Sequence, residues 1–347
     1  MKNLFIIPVL VFTIQMGSAQ DMHFSMFSEM PVTLNPALSG VTFKQRSIVN
    51  YKNQWSSVGD KYETYGFSYE QTISHKRLKD NYFSAFANIY KDAAGNAKLN
   101  TLNPNLGLAY IQKLNRNMKL SAGLQGGMYY RSIDYDKLTW GEQFNGFSYD
   151  PNLASGEQNL RNTSLTTYDI GSGINFNFVD NDNFSKSSKV RFDIGVSAYH
   201  FGLAKNSFIV MDEKLQTKYC AYLNGEINIP KSKNALVPTF VYVKQGPQSL
   251  YLIGTLFKMQ LGDFSTYTGM KKTSSVSVGT YYRYNDAIIP SVVYQFDNYM
   301  LGICYDVNVS GLTPATNRNG GIEVMLRYNV LPGYGTNQGR SDTRSSY

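Results

Sequence analysis

The chain has little of what most enzymes and most soluble secreted domains rely on. It has two cysteines, Cys220 and Cys304, far apart in sequence, so no C-x-x-C, no metal spacing and no disulfide framework can be read from them. It has three histidines, His23, His75 and His200, each isolated. No H-E-x-x-H, no paired His–carboxylate spacing and no phosphate loop is present. Catalytic, metal and cofactor-binding residues are therefore expected to be none, and an enzyme is not expected. Charged residues are 17% of the chain, below the ~25% usual in soluble domains. The basic residues are scattered without a block, which argues against a nucleic-acid partner.

Long apolar runs are also missing after the N-terminus, which excludes a transmembrane helix there. The one such run, Leu4–Ile14, follows Lys2 and precedes Gly17-Ser18-Ala19. A positive start, a short apolar core and small residues make a secretory signal peptide, with cleavage expected after Ala19. No cysteine follows the cleavage point, so a lipoprotein anchor is not expected. The formal charge of +8 becomes +7 once Lys2 is removed, which favours anionic surroundings such as lipid head groups or an acidic partner.

What the chain does have is tyrosine (27), phenylalanine (20) and glycine (29), with aromatics at 14%. Tyrosine suits a membrane interface, where the ring is apolar and the hydroxyl stays wet. Mean hydropathy is only −0.31, which fits a barrel because alternate residues alone face lipid. From Gln45 onward the sequence repeats one theme: runs of about ten residues that alternate apolar and polar between turn signals. In 118–131 the even positions are Met118, Leu120, Ala122, Leu124, Met128 and Tyr130, while Lys119, Ser121, Gly123, Gln125 and Arg131 oppose them. Tyr299, Leu301, Ile303, Tyr305, Val307 and Val309 likewise face away from Gly302, Cys304, Asp306, Asn308 and Ser310. A helix cannot segregate residues at period two, whereas a strand does so automatically.

The alternation predicts about 14 strands, at 45–55, 62–71, 82–91, 104–114, 117–132, 168–178, 189–201, 218–229, 236–245, 248–258, 274–284, 286–296, 298–309 and 321–330. Strands of this length span a bilayer when tilted, and an even number suits a bacterial barrel. The fold class is all-β, a transmembrane antiparallel β-barrel. Two soluble sandwiches would also supply many strands, but their outer faces should be charged. Here the face opposite the apolar one is mostly Gly, Ser, Asn and Gln. Pro238 and Pro290 are expected at strand ends or bulges. Short links such as Asn115-Arg116 and Asp297-Asn298 alternate with long ones such as 133–167 and 202–217, as expected of periplasmic turns and external loops. The division is 1–19 signal peptide, 20–44 plug-like segment, 45–330 barrel and 331–347 flexible tail.

Several segments, in order along most of the mature chain, resemble the PorP/SprF family of type IX secretion outer-membrane proteins. They are Gln20-Asp21-Met22-His23-Phe24-Ser25, then Asn35-Pro36-Ala37 with Gly40, then Asn53-Gln54-Trp55. Further on come Gly195–His200, Val237–Phe240 with Lys244–Pro247, Tyr282-Arg283, Asp286–Pro290, Leu301-Gly302, Tyr305-Asp306-Val307, and Glu323 with Arg327-Tyr328. Lys52 departs from the family, which often has Arg there, and the Met22, Met26, Met30 start is more apolar than usual.

The resemblance implies a barrel like the fatty-acid channels with the N-terminal segment in the lumen. It also implies a role in type IX secretion and gliding: exporting or anchoring a large surface adhesin, or linking the machinery to the outer membrane. The implied partners are that adhesin, other type IX components and outer-membrane lipid. The motif residues it marks as structural or partner-binding are Phe24, Asn35, Pro36, Ala37, Gly40, Gln54, Trp55, His200, Arg283, Asp286 and Asp306. His200, Arg283 and Asp286 are expected to pair in the lumen, where buried charges must be matched. The alternative function is a diffusion channel for hydrophobic small molecules.

Overall fold

A computed structural model describes residues 21–55, 62–73, 81–95, 98–134, 137–156, 164–180, 190–201, 215–261, 274–311 and 313–330. The signal peptide and its cleavage point, Gln20, His75, Asp136 and the tail 331–347 lie outside the described residues.

Fourteen strands close into one antiparallel barrel in simple chain order. They are β1 (Gln45–Gln54), β2 (Tyr62–Ile73), β3 (Asn81–Ala94), β4 (Leu99–Lys113), β5 (Met118–Ser132), β6 (Ser164–Asp180) and β7 (Val190–Tyr199). Then follow β8 (Lys218–Asn228), β9 (Ala235–Gln245), β10 (Gln248–Gln260), β11 (Ser274–Arg283), β12 (Ala287–Phe296), β13 (Tyr299–Asn308) and β14 (Asn319–Val330). Ten rungs from Gln45↔Val330 to Gln54↔Gly321 join β1 to β14, so the sheet has no free edge to pair with another chain.

The burial pattern inverts that of a soluble protein. On β5 the polar set Ser121, Gly123 and Gln125 points inward, while Leu120 and Leu124 point out and are exposed. Leu106, at 71% exposure, and Ile174 and Val196 continue this outer band. Exposed aromatics ring it at both ends: Tyr130, Tyr168, Tyr219, Tyr251, Tyr282 and Tyr305 at one, Tyr69, Phe83, Tyr294, Phe296, Tyr299 and Tyr328 at the other. Apolar-out with aromatic girdles is the pattern of a barrel in lipid. No described helix is long and apolar enough to cross a membrane.

Strands β3 to β6 are the tallest, at 14, 15, 15 and 17 residues, longer than the ~9–11 needed to span. They carry the long connection 133–163. That end also bears 200–217 and 309–318, and we call it the loop end. The expected split between short and long connections holds only in part. The loop end has tight turns at 246–247 and 284–286, and the opposite end has the long connection 261–273. The tight turns depend on left-handed residues, Gly246 at φ 55° and Asn285 at φ 56°.

Pro238 and Pro290 occupy neither strand ends nor bulges. Each lies inside its strand, as does Pro104 on β4, facing outward. The β8–β9 ladder passes from Asn224↔Thr239 to Ile227↔Leu236, skipping Pro238 without a change of register. The β12–β13 ladder skips Pro290 between Ile288↔Val307 and Ser291↔Cys304, and β4–β5 skips Pro104 between Leu102↔Tyr130 and Asn105↔Gly127. A proline lacks only its own donor, and the many other rungs hold the register. The one register shift in β13–β14 falls between Asp306 and Val307.

Candidate functional site

Residues 21–44 thread the lumen from the loop end to the opposite end, where Lys44 N donates to Val330 O and the chain enters β1. Prolines 31 and 36 and a lack of period two keep this segment out of the sheet. Instead it forms single turns at Phe27–Glu29, Pro31–Leu34 and Pro36–Leu38. Its apolar side chains, Phe24, Met26, Phe27, Met30 and Leu34, make a core with inward residues such as Tyr281, Ile289, Cys304 and Met325. Each contributes roughly 2 kcal/mol of burial. Cys220 and Cys304 are free buried thiols.

Three charged clusters hold the first stretch of this strut, Asp21 to Glu29, the last of them beside the opposite-end residues Arg46 and Arg327. At its start, Asp21 Oδ2 lies 2.6 Å from His200 Nε2 and 2.8 Å from Lys218 Nζ. His200 sits just past β7 with φ 60°. Its ring Nδ1 is 2.9 Å from Asp169 Oδ1, and its backbone N donates to that same oxygen at 3.1 Å. One carboxylate thus fixes both the turn and the ring. Burial works against charge on His200, but Asp21 and the two carboxylate hydrogen bonds outweigh it and raise its pKa to about 9. Burial likewise opposes charge on Asp21, yet Lys218 and His200 hold its carboxyl far below the usual range.

The second cluster surrounds Ser25. Glu323 accepts Ser25 N at 2.5 Å and Met26 N at 3.3 Å. Asp306 Oδ2 accepts Ser25 Oγ at 2.9 Å and Arg283 Nη2 at 2.8 Å, with Lys52 Nζ 3.6 Å away. Lys52, only 1% exposed, also donates to Ser25 Oγ and to His23 O, at 2.9 and 3.2 Å. Arg283 Nε pairs with Asp286. His23 stacks on Phe27, and burial together with the Lys52 and Arg283 charges pushes its imidazole well down. In the third cluster Arg327 pairs with Glu29 and Arg46 with Glu70 at 2.7 Å. Both guanidiniums lie over the Phe43 ring.

Residues 34–37 are held without charge, and beyond them cations grip the chain again, Lys119 Nζ donating to Val41 O at 2.7 Å and Arg191 Nη2 to Thr42 Oγ1. Asn35 Nδ2 donates to the wall carbonyls of Ile174 and Val196, both at 3.0 Å, while its Oδ1 accepts Ala37 N at 2.8 Å. Ser197 Oγ donates to Leu34 O and Ser121 Oγ to Ala37 O, at 2.6 and 2.7 Å. The wall has glycine where the strut touches it. A Cβ on Gly123 would lie 2.4 Å from Ala37 N, and one on Gly173 would lie 2.2 Å from Asn35 Oδ1. Gly40, at φ 71°, turns the chain against Ser84, and only glycine takes that conformation freely.

The motif residues therefore separate into three places. Phe24, Asn35, Pro36, Ala37 and Gly40 belong to the strut. Arg283, Asp286 and Asp306 meet in the Ser25 cluster. His200 does not join Arg283 and Asp286 as expected; it pairs with Asp21 and Asp169, because β7 ends across the lumen from β11. Gln54 and Trp55 lie outside the lumen clusters, at the loop-end rim, where Trp55 (φ 54°) stacks edge-on to Tyr62 and its N bonds Gly320 O at 2.8 Å. Residues missed by motif reasoning are Asp169, Lys218, Lys119 and the serines Ser121 and Ser197. The signal was available: each is a polar residue on the inward parity of its strand.

Beside the strut remains a cavity of about 100 Å³ lined mainly by apolar side chains such as Phe24, Phe27, Met30 and Leu250, together with Asn88, Asn105 and Gln125. At the opposite end a vestibule of about 320 Å³ lies among Arg46, Arg191, Glu226, Lys258 and Arg327.

An apolar-out barrel whose lumen is crossed by its own N-terminal strut defines an outer-membrane β-barrel protein. A family model described as "Type IX secretion system membrane protein PorP/SprF" matches residues 16–328. The chain belongs to this family, and is a component of type IX secretion in the outer membrane. Membership implies interaction with other type IX components. No curated protein sequence matches. Among solved structures, the TodX monoaromatic hydrocarbon channel (deltaS2 mutant) is 7% identical with a TM-score of 0.49, covering 88% of this chain and 94% of that one. The CymD monoaromatic hydrocarbon channel is 12% identical with a TM-score of 0.45, covering 88% and 93%. CdiB from Acinetobacter baumannii is 8% identical with a TM-score of 0.40, covering 82% and 60%.

Proposed function

We propose that this barrel is a closed platform of the type IX and gliding machinery. It binds a large surface adhesin and helps export or anchor it, or links the machinery to the outer membrane, and it performs no covalent chemistry. The observation that carries this reading is the strut. It crosses the whole lumen, is tied along its length, and among the described residues narrows the space beside it to a cavity of about 100 Å³. A conduit needs a path, and moving this strut would break the Ser25 cluster and leave buried charges unpaired, at several kcal/mol. With the lumen so filled, work is left to the loops, the rim and the vestibule, and the outer face is left to lipid. The same filling weighs against the alternative of a diffusion channel for hydrophobic small molecules.

Deletion of the gene tests the reading. Surface display of a large adhesin is expected to be lost while uptake of hydrophobic small molecules stays unchanged. Normal display in the deletion strain would overturn the platform, and reduced uptake would favour the channel.

A further inference from the structure

The connection between β5 and β6 ends in an ordered tip whose most apolar side chains point into space. Phe147 is 97% exposed and Phe144 59%, with Tyr149 and Leu153 beside them also exposed. Local hydrogen bonds within the loop hold this arrangement. Phe144 bridges Tyr149, and Gly146 takes φ 95°. Asn145 Oδ1 accepts Phe147 N and Ser148 N at 3.0 and 2.9 Å, while Asp150 N donates to Gln143 O at 2.8 Å. Single exposed apolar residues are common on any surface. One nearly bare and one largely exposed phenylalanine on one locked turn make a patch on the order of 300 Å², within the range of functional patches.

Lipid hydrocarbon does not cover this patch, because irregular backbone is not tolerated there. Head groups fit poorly too. Between 138 and 156 the only charged residues are Glu142 and Asp150, so an otherwise basic chain presents a locally acidic tip. Segments that rest on anionic membrane surfaces carry Lys and Arg instead. Two copies meeting tip to tip would oppose like charges. Aromatic anchors on a preorganised loop are what protein interfaces use, since little entropy is lost on docking.

We propose that the Phe144–Tyr149 tip is a docking knob for a partner protein whose receiving pocket is apolar and rimmed by Lys or Arg. The surface stands on its own geometry and rests on the platform reading only for the expectation that the partner belongs to the secretion machinery or its cargo.

The test is photocrosslinking in whole cells, with p-benzoylphenylalanine at position 147 of the full-length protein and at Arg116, in an opposite-end turn, as control. Position 147 is expected to give a discrete protein adduct that position 116 does not. The crosslinked peptide, mapped by mass spectrometry, should be apolar with flanking Lys or Arg. The adduct should fall at least about tenfold on E142K/D150K, the equilibrium equivalent of losing one anchor. Heat-modifiable migration of the folded barrel checks that each variant still assembles. A lipid adduct, a self-adduct, no adduct, or an adduct indifferent to charge reversal would overturn the proposal. Adhesin display lost on deletion but intact in F147A would break this surface and leave the platform reading. A charge-dependent adduct in cells whose display survives deletion would do the reverse.

Discussion

Two stretches of the lumen strut are fixed by different physics. From Asp21 to Glu29 the segment is gripped by charge: Asp21 by His200 and Lys218, Ser25 and Met26 by Glu323, Glu29 by Arg327. From Leu34 to Ala37 it is gripped by fit, with neutral hydrogen bonds from Asn35, Ser121 and Ser197 and contact with Gly123 and Gly173. A charged grip answers to protonation and to loss of either partner. A steric grip answers only to shape.

Asp306→Ala should break the charged stretch most severely. It leaves Arg283 and Lys52 without their shared carboxylate, at about 4 kcal/mol for a broken buried pair. The expected outcome is protease sensitivity of residues near Ser25 and a lowered unfolding temperature, while Asn35 stays seated. Asn35→Ala should break the neutral stretch next, removing three hydrogen bonds at about 1 kcal/mol each. Protease cleavage near Leu38, with the Asp21 end still protected, would confirm that the two stretches are independent. Cleavage spreading to Asp21 would show one cooperative unit.

Gly123→Ala should cost about 2 kcal/mol by overpacking, because its Cβ meets backbone rather than a side-chain tip. Differential thermal stability in detergent reads it, and Gly126→Ala, where nothing lies within 4 Å, should be neutral.

The smallest effect is pH. His200 has its pKa raised from 6.5 to about 9, so its contribution is complete below 6.5 and is lost as pH rises through 9. Protection factors, which remove the base-catalysed rise in intrinsic exchange, should fall at the Asp21 end over that window and stay constant around Asn35. An equal fall at both sites would erase the comparison.

The barrel was legible because period two is a local property. The fourteen predicted strands coincide with those observed, mostly to within three residues. The larger differences are where β4 starts five residues and β6 four residues earlier than the alternation suggested, since the upper parts of those strands rise above the lipid and lose the apolar face. The 45–55 segment, with a weak pattern, is a full strand because β2 and β14 both pair with it. Prolines 238 and 290 misled, since a missing donor reads locally as an interruption while two neighbouring ladders carry the register.

The site was legible only in outline. Asn35-Pro36-Ala37 marked the strut, but nothing local says that Asn35 binds carbonyls 139 and 161 residues away. His200, Arg283 and Asp286 looked like one set because they were the conspicuous charges, yet pairing depends on which strand ends adjoin which part of the strut. Lys52 shows the same limit. In the sequence it shows only as a departure from the family motif, and in the folded barrel it is a buried hub for His23, Ser25 and Asp306.

Sequence by itself determined that this chain is a membrane barrel and which face of each strand meets lipid, because alternation and side-chain polarity are decided residue by residue. Tertiary structure alone decided how the lumen is filled and which buried charges answer one another. Those contacts join residues as much as 298 positions apart, and only closure of the barrel brings them within hydrogen-bond reach.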